Sequence, residues 1–369
     1  MSERLPVPRP GPASVEPYVP GKPLAELARE AGIEDAIKLA SNENPLGPSP
    51  AALAAAQRSL ERDAERYPDS HGHALKSALA ALHGVRREQV LLGNGSNEVI
   101  ELAVRAYAGP GDEVVYPEYG FVAFGIAARS CGATPVMVPA QGYGADPQRL
   151  LDAVGPRTRV LLLANPNNPT GTWLTGDTLH ALISRLPPRV LVLLDQAYAE
   201  YIDQPAYPHA ESWLPEWPNL LVSRTFSKIH GLAALRVGYG LGAPALIDVM
   251  NRIRMPFNVS APALAAAEAA LGDSAHIAQG LALQREGDGL LRAGLARLDC
   301  EVLPGLGNFV TLDLGRPAQP VYEALLQRGV IVRPLANYGL TRHLRVTVGL
   351  PHENRRFLDA FAEVLDSPR

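Results

Sequence analysis

Lysine is scarce in this 369-residue chain: it occurs only at Lys22, Lys38, Lys76 and Lys228, and arginine supplies the other thirty of the 34 basic residues. Arginine therefore carries the general positive charge. A lysine can lose its proton and act as an amine nucleophile where arginine cannot, so each of the four positions is worth asking about. Cysteine is also scarce. Cys131 and Cys300 stand far apart, which excludes a disulfide framework and fits free thiols in a reducing compartment, the cytoplasm by default. No apolar run is long enough to cross a bilayer; VLLLA (160–164) and VLVLL (190–194) have the length of buried strands. With a net charge of −4 and no dense basic run, the chain has no nucleic-acid footprint. The proline-rich start, with Pro6, Pro8, Pro10 and Pro12, has no apolar core of signal-peptide length and reads as a stiff extended arm.

What is present is an alternation of strand-like and helix-like segments. Strands are expected at 90–92, 112–116, 135–138, 159–164, 190–195, 219–223 and 237–241, with helices at 97–108, 119–131, 146–153 and 176–186 between most of them. That pattern predicts an α/β fold with a seven-stranded, mostly parallel sheet flanked by helices. After MPFNVSAP the texture changes to a long helical stretch over 260–298. NFVTLDL, GVIVRP and HLRVTVG then alternate with helical segments as a smaller α+β domain.

The unusual polar clusters fall after strands, where ligands sit in open parallel sheets. GNGSNE (93–98) is a glycine turn entering a helix, an anion site suited to phosphate, with amides at Ser96 and Asn97. NPNNPTG (165–171) is a proline-locked turn carrying Asn168, and DQAYAEY places Asp195 after five apolar residues, with Tyr198 nearby. A buried aspartate needs a partner, either structural or a cationic heterocycle. TFSKIHGLAALR (225–236) brings Thr225, Ser227, Lys228 and Arg236. Phosphate donors, a carboxylate for a ring nitrogen, phenol and amide partners and an amine make up the inventory that pyridoxal 5′-phosphate requires.

The sequence resembles the fold-type I pyridoxal-phosphate aminotransferases and, within them, the histidinol-phosphate aminotransferase family. The resemblance runs nearly end to end through PYVPGKP (17–23), KLASNENPLGPSP (38–50), RYPD (66–69), GNGSNE, NPNNPTGT (165–172), LDQAYAEY (194–201), SRTFSKIHGLAALRVGY (223–239), GVIVRPLANYGL (329–340) and HLRVTVG (343–349). It implies an N-terminal arm over 1–30, a large cofactor-binding domain over 45–255, and a small domain from 31–44 with 256–369. It also implies a homodimer with shared active sites. The implied reaction converts L-histidinol phosphate and 2-oxoglutarate to imidazole-acetol phosphate and L-glutamate, in histidine biosynthesis.

The same resemblance assigns roles. Lys228 forms the Schiff base with the cofactor and serves as acid and base. Asp195 keeps the pyridine nitrogen protonated, while Tyr198 and Asn168 bind the ring's phenolic oxygen. Ser96, Asn97, Thr225, Ser227 and Arg236 hold the phosphate, joined by Tyr67 from the neighbouring subunit, and Tyr119 stacks on the ring. Tyr18, Arg333 and Arg345, with Asn168, take the substrate, the arginine fork matching carboxylate and phosphate alike.

Gln196 replaces the glutamate usual in relatives and is expected to point away from the site, and Ala234 stands where a small Gly or Ser is common. Rival readings are an aromatic-amino-acid aminotransferase, a phosphate-recognising decarboxylase and a non-catalytic cofactor sensor. A nicotinamide dehydrogenase is disfavoured because GNGSNE breaks the G-x-G-x-x-G spacing. His71-Gly-His73 has no companion set at ligand spacing, so no metal is expected.

Overall fold

The structure, a computed structural model, describes residues 7–17 and 20–366. Its strands in chain order are β1 (Ile37–Lys38), β2 (Val90–Gly93), β3 (Glu113–Pro117), β4 (Thr134–Val138), β5 (Thr158–Ala164), β6 (Leu191–Asp195), β7 (Leu220–Thr225), β8 (Gly238–Gly242), β9 (Glu301–Val302), β10 (Phe309–Asp313), β11 (Val330–Ile331), β12 (Arg333–Leu335) and β13 (Leu340–Thr347). Strands β2 to β8 form one seven-stranded sheet in the order β2-β8-β7-β6-β5-β3-β4. Only β8 runs against its neighbours, β2 and β7; the pairs from β7 across to β4 are parallel. The ends of β2, β5, β6 and β7 therefore open onto one edge.

The apolar runs form strands because both faces of this sheet are covered. Successive side chains of a strand point to opposite faces. Accordingly, Val160 and Leu162 enter one core with Phe124 and Ile100, while Leu161 and Leu163 enter the other with Leu179 and Phe226. Each such fully buried leucine contributes about 1.5–3 kcal/mol.

A second, antiparallel sheet has the order β12-β13-β10-β9. Its core joins Val310, Leu312, Leu344 and Val346 to Phe357 and Phe361 of the helix Pro351–Asp366. The early segment is stitched onto this unit: β1 pairs in parallel with β11, and Leu39 continues the ladder by donating to Ile331 O at 2.7 Å and accepting from Thr347 N at 2.9 Å. The helical stretch expected over 260–298 is two helices. Ala261–Leu271 gives Ala263, Ala266, Ala267 and Ala270 to the large-sheet core, whereas Ser274–Arg297 gives Leu291 and Leu295 to the smaller core.

The sequence reading began a helix at 119, but the helix starts at Ala123. Tyr119 has a φ of 58°, and Gly120 N donates to Pro117 O at 2.9 Å, so residues 117–120 form a turn. A left-handed residue cannot continue a right-handed helix.

Candidate active site

The turns after β2, β5, β6 and β7 enclose a cavity of about 420 Å³, closed on its far side by β12 and β13. Strand β2 leads through Gly95 into the helix Ser96–Tyr107, whose first turn has no side-chain cap, so its outermost amides are left for something in the cavity. Gly95 has φ 79° and ψ 167°, a backbone region open almost only to glycine. A Cβ there would lie 2.4 Å from Arg236 Nη2, so the guanidinium sits directly over the turn. Arg236 is itself held by its Nη1 donating to Ala233 O at 2.8 Å and Ser227 Oγ at 3.3 Å. Thr225 Oγ1 accepts from Ser227 N at 3.1 Å. Ser96, Asn97, Thr225, Ser227 and Arg236 thus form one cup rich in donors.

Beside the cup, Lys228 Nζ donates to Ser41 O at 3.2 Å and lies 5.6 Å from the centre of the Tyr198 ring. Burial, and then the positive charge of Arg345, pull its pKa down from 10.5 to about 7, so at neutral pH much of the amine is uncharged. Asp195, at the end of β6, accepts from Ser223 Oγ at 2.8 Å; burial raises its pKa to about 6 despite that bond. A carboxylate raised in this way favours a cationic N–H partner. Tyr198 is buried, which lifts its phenol to about 12 and keeps it a proton donor, and its oxygen accepts from Asn42 Nδ2 at 2.9 Å.

On the opposite wall stand two buried arginines, Arg333 and Arg345. Arg345 donates through Nη1 to Asn168 Oδ1 and through Nη2 to Ala40 O at 2.7 Å. The first bond commits the amide oxygen of Asn168 and leaves its Nδ2 as a donor.

Three assigned tyrosines are outside the set of residues that line this cavity. Tyr119 stands in the turn next to the cavity, its carbonyl accepting from Asn167 Nδ2 at 2.9 Å and its ring 6.2 Å from that of Tyr143 between centroids, while Phe121 lines the wall. Tyr67 is 82% exposed and stacks on Phe257 at 4.6 Å, away from its own chain's cavity. Tyr18 lies outside the described residues. Gln196 points away from the cavity, with Nε2 donating to the Tyr207 phenol Oη and to Pro208 O, each at 3.1 Å, and Oε1 accepting from Arg224 Nη2 at 3.2 Å. Sequence reasoning gave no role to Asn42 or Glu43, which also line the cavity; the only signal for them was their place in the SNENP run.

Fold and site define a class of protein. Residues 34–361 match the family model for aminotransferase class I and II, and the chain belongs to that family. Among its relatives, histidinol-phosphate aminotransferase 2 of Pseudomonas fluorescens is 52% identical over 359 residues, covering 97% of each chain. Histidinol-phosphate aminotransferase 1 of Thiobacillus denitrificans is also 52% identical, over 95% of this chain and 92% of its own. The solved structure of histidinol-phosphate aminotransferase from Sinorhizobium meliloti in complex with pyridoxal-5′-phosphate superposes with a TM-score of 0.90 at 30% identity, covering 99% of this chain and 98% of that one.

Proposed function

We infer that this chain is a pyridoxal-phosphate-dependent transaminase that interconverts L-histidinol phosphate and 2-oxoglutarate with imidazole-acetol phosphate and L-glutamate, a step of histidine biosynthesis. One observation carries the reading: a single cavity holds an amine with a depressed pKa, a buried carboxylate and a pair of buried arginines. The residues fit the cofactor. The glycine turn under Arg236 and the uncapped helix end suit a phosphate, and the raised pKa of Asp195 suits a ring N–H. Tyr119, in the turn beside the cavity, is the ring proposed to cover a face of the heterocycle, with Phe121 in the adjoining wall.

When bound, pyridoxal phosphate supplies a carbonyl carbon that exchanges between amines and a ring that accepts the electron pair left at the substrate carbon. The chain's own residues do the rest. Asp195 holds the ring nitrogen's proton in place. Tyr198 O–H and Asn168 Nδ2 would be the donors for the ring's phenolic oxygen. Lys228, neutral once displaced from its resting role, would take the proton from the substrate carbon and return it two atoms away, across the intervening nitrogen. Arg333 and Arg345 grip the dianionic phosphate of one substrate and the carboxylate of the other, so one pocket serves both half-reactions.

We also propose a cytoplasmic homodimer in which the partner subunit's Tyr67 completes the phosphate cup; the exposure of Tyr67 and of its stacking partner Phe257 supports this, as do two free thiols. We divide the chain as the arm 1–30, a large unit from 45 and a small unit from 31–44 with the C-terminal part. The packing of Ala261–Leu271 on the large-sheet core favours ending the large unit near 271 rather than 255.

The test is spectral titration of the yellow holoenzyme with histidinol phosphate, L-glutamate and L-phenylalanine. Histidinol phosphate and glutamate should each bleach the cofactor band at far lower concentration than phenylalanine. A preference for phenylalanine over histidinol phosphate would select the aromatic-amino-acid reading instead.

A further inference from the structure

Among the described residues two carboxylates line the cavity, Asp195 and Glu43. Asp195 is already engaged by Ser223 Oγ and by the backbone N–H of Ala197. Glu43 is half engaged: Lys38 Nζ donates to its Oε1 at 2.8 Å, and with the side chain 45% exposed its Oε2 is left to water rather than to a partner among the described residues. Its position is fixed from both sides. Asn42, at φ 54°, is held by Thr347 Oγ1, which accepts from its backbone N–H at 2.9 Å, and by Asn308 Nδ2, which donates to its carbonyl at 3.0 Å. Asn44 Nδ2 donates to Ile229 O at 2.7 Å. Both neighbours are buried, so a carboxylate is presented at the cavity by a backbone that cannot easily withdraw it.

The other charged groups on this wall are basic: Lys228, Arg236, Arg333 and Arg345. A substrate whose anionic end sits on the arginines shares the cavity with this one carboxylate, whose Oε2 can exchange its water for a substrate N–H. Histidinol phosphate carries, besides its phosphate and amine, an imidazole with at least one N–H in either protonation state. Glutamate carries no such ring. We propose that Glu43 is the residue that selects the imidazole substrate, its Oε2 accepting a hydrogen bond from the ring N–H while Lys38 holds Oε1 and so orients the carboxylate. This rests on the proposed function and deepens it.

The two half-reactions of the holoenzyme are measured separately, by the cofactor absorbance with histidinol phosphate and with L-glutamate. Removing one charge-assisted hydrogen bond changes affinity by about 10- to 100-fold. Glu43→Gln should lower kcat/KM for histidinol phosphate by at least about tenfold more than for glutamate, mostly through KM, and Glu43→Leu by more still. Lys38→Met, which removes the orienting ion pair but keeps the carboxylate, should lower the selectivity by clearly less than Glu43→Gln does. On a Lys228→Ala background, which prevents turnover, calorimetry should show E43Q weakening histidinol phosphate more than glutamate by the same factor. Equal losses for both substrates, or a Lys38→Met variant that matches Glu43→Gln, would make Glu43 a structural ion-pair partner only and overturn the proposal. If the wild-type holoenzyme turns over glutamate but not histidinol phosphate, the proposed function fails and this inference fails with it.

Discussion

Arg333 and Arg345 are directly paired positions of the antiparallel β12–β13 ladder, and both are buried against the same cavity. Like charges placed opposite one another on a sheet repel. The arrangement is therefore best matched to an anion lying between or beside the two guanidinium groups, and it is the small sheet's register that creates it. If the pair grips both substrates, Arg345→Ala should weaken both half-reactions, by about 2–5 kcal/mol in apparent binding. Arg345→Lys should recover only part, since a point charge does not reproduce a bidentate fork. Steady-state and half-reaction kinetics with both substrates check this, and a loss confined to one substrate would separate their binding sites.

Gly95→Ala tests the cup. The new methyl would fall 2.4 Å from Arg236 Nη2, the far end of a flexible side chain, so the fold can adjust by moving the guanidinium. Placing alanine in that backbone region adds on the order of 1–3 kcal/mol of strain. The expected outcome is a folded protein with cofactor affinity lowered at least tenfold, on the order of 1.4 kcal/mol, measured by fluorescence titration with pyridoxal phosphate. Unchanged cofactor affinity would place the phosphate elsewhere.

Lys228 should titrate far below an ordinary lysine in the cofactor-free protein, with a midpoint of about 7 against the usual 10.5. Reductive methylation with isotope-labelled formaldehyde, followed by NMR of the folded protein across pH, reads this midpoint, the signal being assigned to residue 228 by its loss in Lys228→Met. The sign for stability follows. Between those two values the unfolded chain holds a proton that the folded chain lacks, so this group makes the cofactor-free protein more stable as pH rises through that window. Lys228→Met should remove that increment from the wild-type pH–stability curve. A midpoint near 10.5 would show that the cavity does not hold the amine as described.

Subunit exchange tests the shared site. Chains carrying Lys228→Ala and chains carrying Tyr67→Ala should each be poorly active. A mixed dimer has one site with both defects and one with neither if Tyr67 serves its neighbour's cup. Activity should return on mixing, towards half the wild-type value per dimer. No recovery in verified heterodimers would mean that Tyr67 serves its own chain or no site at all.

Much of this molecule is legible in the order of its residues because the relevant signals are local. The runs that became β5 and β6 are apolar and short, and a strand buried on both faces requires that pattern. GNGSNE, NPNNPTG, DQAYAEY and TFSK each follow a strand directly, so sequence alone put their polar residues at strand ends; the isolation of Lys228 in a lysine-poor chain singled out the amine. Tertiary structure decided what those local signals could not carry. Tyr119 and Phe121 are two residues apart and both aromatic, and the positive φ of Tyr119, which no local pattern announces, makes the turn that orients the two rings differently. Asn42 meets Tyr198 across 156 positions, Arg345 meets Asn168 across 177, and Glu43 reaches the same cavity from a segment pinned to β11 and β13. Nothing periodic encodes such meetings. They arise only when two separately packed sheets close on one another, and that closure, by removing water and bringing the basic groups together, also shifts the proton affinities of Lys228 and Asp195 away from the values their residue types would suggest.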